Sequence, residues 1–181
     1  DNEIDDAVLE EIGLLIKRNK EIAMKKQLSF ELVRASAKKE EFLNRLKNND
    51  ATLTKLDFMW EKIGDAGAEA VCEALTKNTI LTELNLGDNQ IGDVGAKAVS
   101  KVLMKSTTLR QLVLEYNQIG DVGMEAICEA LTENMALTEL NLGDNQIGAE
   151  GAKVVSEVLT KNTTLIALDL AGNRIGAEGA K

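Results

Sequence analysis

Side chains able to do chemistry are few in this chain, and the familiar catalytic arrangements are missing. There is no His, so a His-based triad, His metal ligation and a His pH switch are all excluded. Cys72 and Cys128 are the only cysteines, too few for a disulfide framework or a four-Cys zinc site. Asp88, Asn89 and Asp93 look like pieces of a calcium loop, but the closing Glu and the alternate-position ligand spacing are absent. Gly92-x-x-Gly95-Ala96-Lys97 lacks the Gly-Lys-Ser/Thr of a phosphate loop. Carboxylates abound, yet an acidic face serves solvation or partner recognition more often than acid–base chemistry. No catalytic residue, cofactor or metal ligand is therefore assigned. What remains is recognition chemistry. Trp60 and Tyr116 are the only Trp and the only Tyr. Both stand among charged and polar residues: Asp57, Met59, Glu83, Asn85, Asp88, Arg110, Glu115, Asn141 and Asp144. Aromatic side chains flanked by charge are common anchors of protein interfaces. The alternative is that the two rings pack on neighbouring strand-end loops.

Composition narrows the class further. The chain has 181 residues, 44% hydrophobic and 28% charged, with no Pro. That is enough for one domain with a sizeable core. Proline-rich linkers and polyproline ligands are ruled out. No stretch approaches the roughly 18 apolar residues of a membrane span. The net charge of −9 is uneven: residues 1–52 hold 10 basic and 11 acidic groups, residues 53–181 hold 11 basic and 19 acidic. The C-terminal part should repel nucleic acid and anionic lipid, so the expected partner is a protein with a basic or neutral surface. Asp1 is not followed by a basic start and an apolar core, so no signal peptide is expected, and the chain is expected to begin within a longer protein. Unpaired thiols then point to a reducing cytosol, which for a secreted effector would be a host cytosol.

The elements that position these residues come from an internal repeat of 28 residues. Leucines recur at 53, 81, 109, 137 and 165, and again at 56, 84, 112, 140 and 168. Phe58, Leu86, Leu114, Leu142 and Leu170 form the next column. An Asn column follows at 89, 117, 145 and 173, with Glu61 in the first unit. Ile63, Ile91, Ile119, Ile147 and Ile175 come next, and then two Gly columns that begin at Gly64 and Gly67. The alternating first half predicts a short strand. The second half, as in Ala96, Val99 and Leu103, has the spacing of an amphipathic helix. Asp65, Asp93 and Asp121 are expected to cap those helices, with the cap lost or shifted where Ala149 and Ala177 replace them. Cys72 and Cys128 share one helical column with Ser100 and Ser156, so a small buried residue is expected there. At about 8–10 Å per helix step they are roughly 16–20 Å apart, too far for a disulfide.

The pattern L-x-x-L-x-L-x-x-N-x-I-G-x-x-G followed by a helical run resembles the leucine-rich repeat, in the long variety found in ribonuclease inhibitor and NOD-like receptors. Units one and three share one sequence type and units two and four another, which deepens the likeness to ribonuclease inhibitor. The resemblance implies an α/β solenoid: a curved horseshoe segment, parallel strands on the concave side and helices on the convex side. It also implies that the Asn column forms a buried ladder. Units start at 53, 81, 109, 137 and 165, the last one truncated before its helix. Residues 1–26 read as a degenerate half-repeat or amphipathic helix, and 27–52 as a capping helix with Ser29, Phe30, Val33, Phe42 and Leu46 at its start and apolar side. The seven-residue step from Leu46 to Leu53 makes the junction with the first unit irregular. The expected function is a non-enzymatic module that binds a protein through its acidic concave face, with Lys55, Gln111, Val113 and Glu139 also on that face. End-to-end self-association is expected from the open terminal strand. Two alternatives carry over from similar repeats: a GTPase-activating protein of the Ran-activator type, with Arg110 as the candidate, and an actin-capping module of the tropomodulin type.

Overall fold

A computed structural model describes residues 40–179. The chain divides into two compact units, Asp1–Phe42 and Leu43–Lys181. The expected half-repeat near the start and the helix start at Ser29 lie outside the described residues. In the first unit, residues 40–42 are helical; in the second, helix covers residues 43–47.

From there strands and helices alternate: β1 (Lys55–Asp57), α1 (Gly64–Leu75), β2 (Glu83–Asn85), α2 (Asp93–Leu103), β3 (Gln111–Val113), α3 (Asp121–Glu133), β4 (Glu139–Asn141), α4 (Ala149–Leu159), β5 (Ala167–Asp169) and α5 (Gly176–Gly179). The five strands make one parallel sheet in chain order. Pairing follows the repeat, with Leu56 opposite Leu84, Leu84 opposite Leu112, and Leu112 opposite Leu140. Parallel neighbours need a long crossover, and each helix supplies one. This is the leucine-rich repeat fold. The fifth unit was expected to lack its helix; its first turn is present as α5.

The apolar columns close the space between sheet and helices. Leu84, Leu112 and Leu140 are buried, as are Leu86, Leu114 and Leu142 on the strand side and Val99, Leu103, Ile127 and Leu131 on the helix side. Strands of only three residues satisfy few backbone groups, so the loops depend on side chains. Asn117 shows how. Its Oδ1 accepts from the Asn89 and Ile91 amides at 3.1 and 2.9 Å. Its Nδ2 donates to the carbonyls of Leu86, Leu114 and Glu115. Asn89 and Asn145 repeat the arrangement one rung either side, and Asn173 ends it. The expected ladder is present.

A second ladder, not read from the sequence, runs where each helix turns towards the next strand. Asn134 Nδ2 donates to the carbonyls of Leu103 and Ser106, and its Oδ1 accepts from the Ala136 and Leu137 amides. Asn162 does the same one unit on, and Asn78 reaches back to Leu46. Asp50 and Ser106 fill this column in the other units. Ser106 Oγ accepts from the Leu109 amide, but its side chain is too short to reach back to unit one. A cleft of about 320 Å³ lies there, lined by Cys72, Leu75 and Asn78 from unit one and Lys101, Lys105 and Ser106 from unit two.

The expected aspartate caps need correction. No helix of the repeats is capped by a side chain of its own cap residue. Each aspartate instead serves the next unit's helix. Asp65 Oδ1 accepts from the Gly92 and Gly95 amides, Asp93 from Gly120 and Gly123, and Asp121 from Gly148 and Gly151, all within 2.6–3.0 Å. A carboxylate at a helix N-terminus satisfies orphan donors and complements the dipole. The offset means α4 keeps its cap although its own unit carries Ala149. It also explains the second Gly column: a Cβ on Gly95 would stand 2.7 Å from Asp65 Oδ1, and one on Gly123 2.6 Å from Asp93 Oδ1.

Asn117→Ala orphans backbone groups of two units at once and should lower the unfolding free energy by about 2–4 kcal/mol. Asn173→Ala, on the less buried last rung, should cost less. Urea denaturation measures both; a loss under about 1 kcal/mol for Asn117→Ala would mean that water can replace a rung.

Candidate partner-binding face

Residues at alternate strand positions face away from the core, forming two rows. The first row is Lys55, Glu83, Gln111, Glu139 and Ala167; the second is Asp57, Asn85, Val113, Asn141 and Asp169. Lys55 Nζ pairs with Glu83 at 2.7 Å. The second row is partly committed to the backbone. Asp57, Asn85, Asn141 and Asp169 each accept a hydrogen bond from the amide two residues on, closing the turn at the strand end. Such Asx turns explain the choice of Asn and Asp there. Val113 breaks the row, and in its unit Glu115 instead accepts from Asn141 Nδ2 at 2.8 Å. Two grooves lie over these rows: about 240 Å³ across β1–β3, and about 470 Å³ across β3–β5, where Ile166 joins the lining.

Met59, Trp60, Asp88, Glu115, Tyr116 and Asp144 were expected at outward strand positions. They lie instead in the loops that follow the strands, along one rim of the sheet. Trp60 N donates to Gly87 O, Asp88 N to Glu115 O, and Tyr116 N to Gly143 O, so the parallel pairing continues into the rim. Trp60, Asp88, Tyr116 and Asp144 thus stand on consecutive rungs, aromatic alternating with acid. Their φ angles are 67°, 50°, 53° and 50°, and Gly172, next in the column, has 70°. Left-handed backbone suits Gly and Asp; for Trp and Tyr it is unusual and costs on the order of 1 kcal/mol. Trp60 is 69% exposed and Tyr116 53%, so little packing on neighbouring loops offsets that cost.

The rim is electronegative. Tyr116's hydroxyl is pushed above the usual tyrosine range, first by the charge of Asp144 and by its hydrogen bond to that carboxylate, then by Glu115 and Asp88. Arg110, expected on the strand face, comes before β3 at the end of the strand away from Tyr116. It replaces the Thr of this column. Thr82 and Thr138 donate their hydroxyls to the carbonyl one unit back, and Arg110 Nη1 donates to the Thr107 and Ala136 carbonyls at 3.1 Å.

Both thiols are buried and unbridged. Burial, assisted by the nearby charges of Glu69 and Glu125, pushes both up to about 12. Among the described residues no cluster of three or more His, Cys, Asp or Glu is placed to hold a metal ion. No helix among them is long and apolar enough to cross a membrane.

Comparison with known proteins places the chain among relatives. A profile of the TMOD/LMOD leucine-rich domain matches residues 35–168, and one of the leucine-rich repeat matches residues 161–181. The solved structure of Leiomodin-1 Actin-Binding Site 2 is similar at a TM-score of 0.69 and 29% identity, over 77% of this chain and 80% of that one. A tropomodulin C-terminal domain from Caenorhabditis elegans shares the fold at a TM-score of 0.68 and 17% identity, over 74% and 82%. No curated protein matches the chain in sequence.

Two expectations follow. With thiols near 12, about one in ten thousand is ionised at pH 8, so disulfide-exchange reagents should label native protein slowly and two thiols per chain after unfolding; loss of both to an intrachain bridge would contradict the placement. Trp60→Asn, which suits left-handed backbone, should leave stability unchanged or raise it by up to about 1 kcal/mol. A loss above about 1 kcal/mol on thermal or urea unfolding would make the ring a packing element.

Proposed function

The chain belongs to the TMOD/LMOD leucine-rich domain family, and from that premise we propose that it is a non-enzymatic module that binds actin. The family match over residues 35–168 carries this reading. It is joined by the likeness to the leiomodin fragment called Actin-Binding Site 2. The general expectation of a protein-binding repeat is thereby narrowed to the actin alternative. The Ran-activator alternative has less support, because its candidate, Arg110, holds two backbone carbonyls with its guanidinium.

The binding face in this proposal is the strand side with its aromatic and acidic rim: Trp60, Asp88, Tyr116 and Asp144, with Asp57, Met59, Glu83, Asn85, Glu115 and Asn141 beside them. Acidic side chains there would speed encounter with a basic partner surface and make it salt-dependent. The exposed aromatics are the groups with most to gain from burial. The helix side carries Glu73 and Glu129, both exposed, and is the control face.

Actin co-sedimentation and pointed-end elongation assays test the proposal. Trp60→Ala or Tyr116→Ala should weaken binding by about 2 kcal/mol or more if either is an anchor. Glu73→Lys and Glu129→Lys should change it little. If the helix-side changes abolish binding while both truncations leave it intact, the interface is on the helices. If the unaltered chain neither co-sediments nor slows elongation, actin is the wrong partner.

A further inference from the structure

The rim has an inner order that the proposed function does not use. Trp60, Asp88 and Tyr116 occupy successive rungs, one from each of three units. At about 4.8 Å per strand, the two aromatic backbones lie about 10 Å apart with the carboxylate midway. The exposed Tyr116 hydroxyl lies in the negative field of Asp144, Glu115 and Asp88. Among the described residues no cation is paired with Asp88; the ion pairs found there include Arg45–Asp50 and Lys55–Glu83.

These dimensions select a ligand. A flat cation held between two ring faces needs about 3.5–4 Å on each side, so rings about 7–8 Å apart. Both rings are exposed, so on backbones about 10 Å apart they can reach that spacing by a change of rotamer on binding. Attraction of a cation to a ring face holds within about 6 Å of its centroid and is strongest for Trp. A guanidinium is planar, stacks on aromatic faces and offers a fork of donors to a carboxylate; an ammonium is compact, strongly hydrated and does not stack. Glu115 and Asp144, both on the Tyr116 side, add to the negative potential around the bracket.

We infer that Trp60, Asp88 and Tyr116 form a bracket for one arginine side chain of a partner protein, with the guanidinium between the two rings and bonded to Asp88. This rests on reading the rim as the binding face, and it names the group that face receives.

Trp60 is the chain's only Trp, so its emission reports on the bracket directly. The test is a fluorescence titration with the capped tripeptide Ac-Gly-Arg-Gly-NH2 and its citrulline and lysine counterparts. The arginine peptide should shift or quench the emission saturably, with a midpoint of about 1–10 mM, the range open to one side-chain contact. Binding should weaken about fivefold or more in Asp88→Asn and in Tyr116→Asn. Both replacements suit left-handed backbone, and circular dichroism checks that each variant is folded. The citrulline peptide, which keeps the shape and loses the charge, should not saturate. Lysine should bind at least about threefold more weakly. An unsaturable arginine titration, an equal response to citrulline, an equal response to lysine, or folded variants that titrate like the unaltered chain would each overturn the bracket. Loss of the bracket with actin co-sedimentation intact would sink this inference alone; saturable arginine binding without co-sedimentation would sink the actin reading alone.

Discussion

Everything in this unit depends on side-chain amides and carboxylates standing in for backbone partners. A three-residue strand satisfies few peptide groups, and the loops between strand and helix satisfy almost none by regular pairing. Buried peptide groups without partners are costly. Asn89, Asn117, Asn145 and Asn173 take up that demand on one side of the repeat. Asn78, Asn134 and Asn162 take it up on the other. The leucine columns provide the apolar burial, but leucine cannot tell one loop path from another. The polar rungs fix the path, and because each reaches the preceding unit, they fix the stacking as well. Asp65, Asp93 and Asp121 extend the same logic forward, from one unit to the helix of the next.

The repeat, strand order, helix placement and first Asn ladder were legible in the sequence because each depends on period and polarity alone. The aspartates point to their own helices in the sequence because sequence distance stands in for spatial distance there: Asp93 and Asp121 open their helices and Asp65 is second in its own, yet each carboxylate reaches the helix of the next unit. The second ladder left a trace, Asn at 78, 134 and 162 with Ser106 between. That trace fell at a helix end, where a polar residue needs no special explanation. The rim was half legible. Trp60 and Tyr116 stood out by rarity and shared register. Their position beyond the strands, rather than on them, follows from where three-residue strands stop. The column itself carried a hint, since Asp88, Asp144 and Gly172 are residue types that tolerate left-handed backbone.

That hint bears on how recognition was built on this scaffold. In a repeat array most columns are constrained by the neighbours above and below. The rim column is constrained mainly in its backbone and leaves the side chain free. Aromatic rings there accept a conformational cost that Asp or Gly would avoid, and they gain little contact within the chain in return. Left-handed backbone recurs two residues on, at Lys62 and Gln90, so the conformation belongs to the turn of the repeat, and what sets Trp60 and Tyr116 apart is the ring carried on it.

The missing rung at Ser106 has a mechanical consequence. An array of repeats is held by nearest-neighbour interfaces in series, so each junction relies on its own ties. Between units one and two the helix-side tie is absent and a cleft stands in its place, while on the strand side Asn89 still clamps the loops together. The junction is thus tied more closely along the strand side than along the ends of the helices. The closely tied side runs beside the rim, with Trp60 in unit one and Asp88 and Tyr116 in units two and three. The spacing of those groups is therefore set by how one unit stacks on the next, and the rim inherits its dimensions from the ladder beneath it.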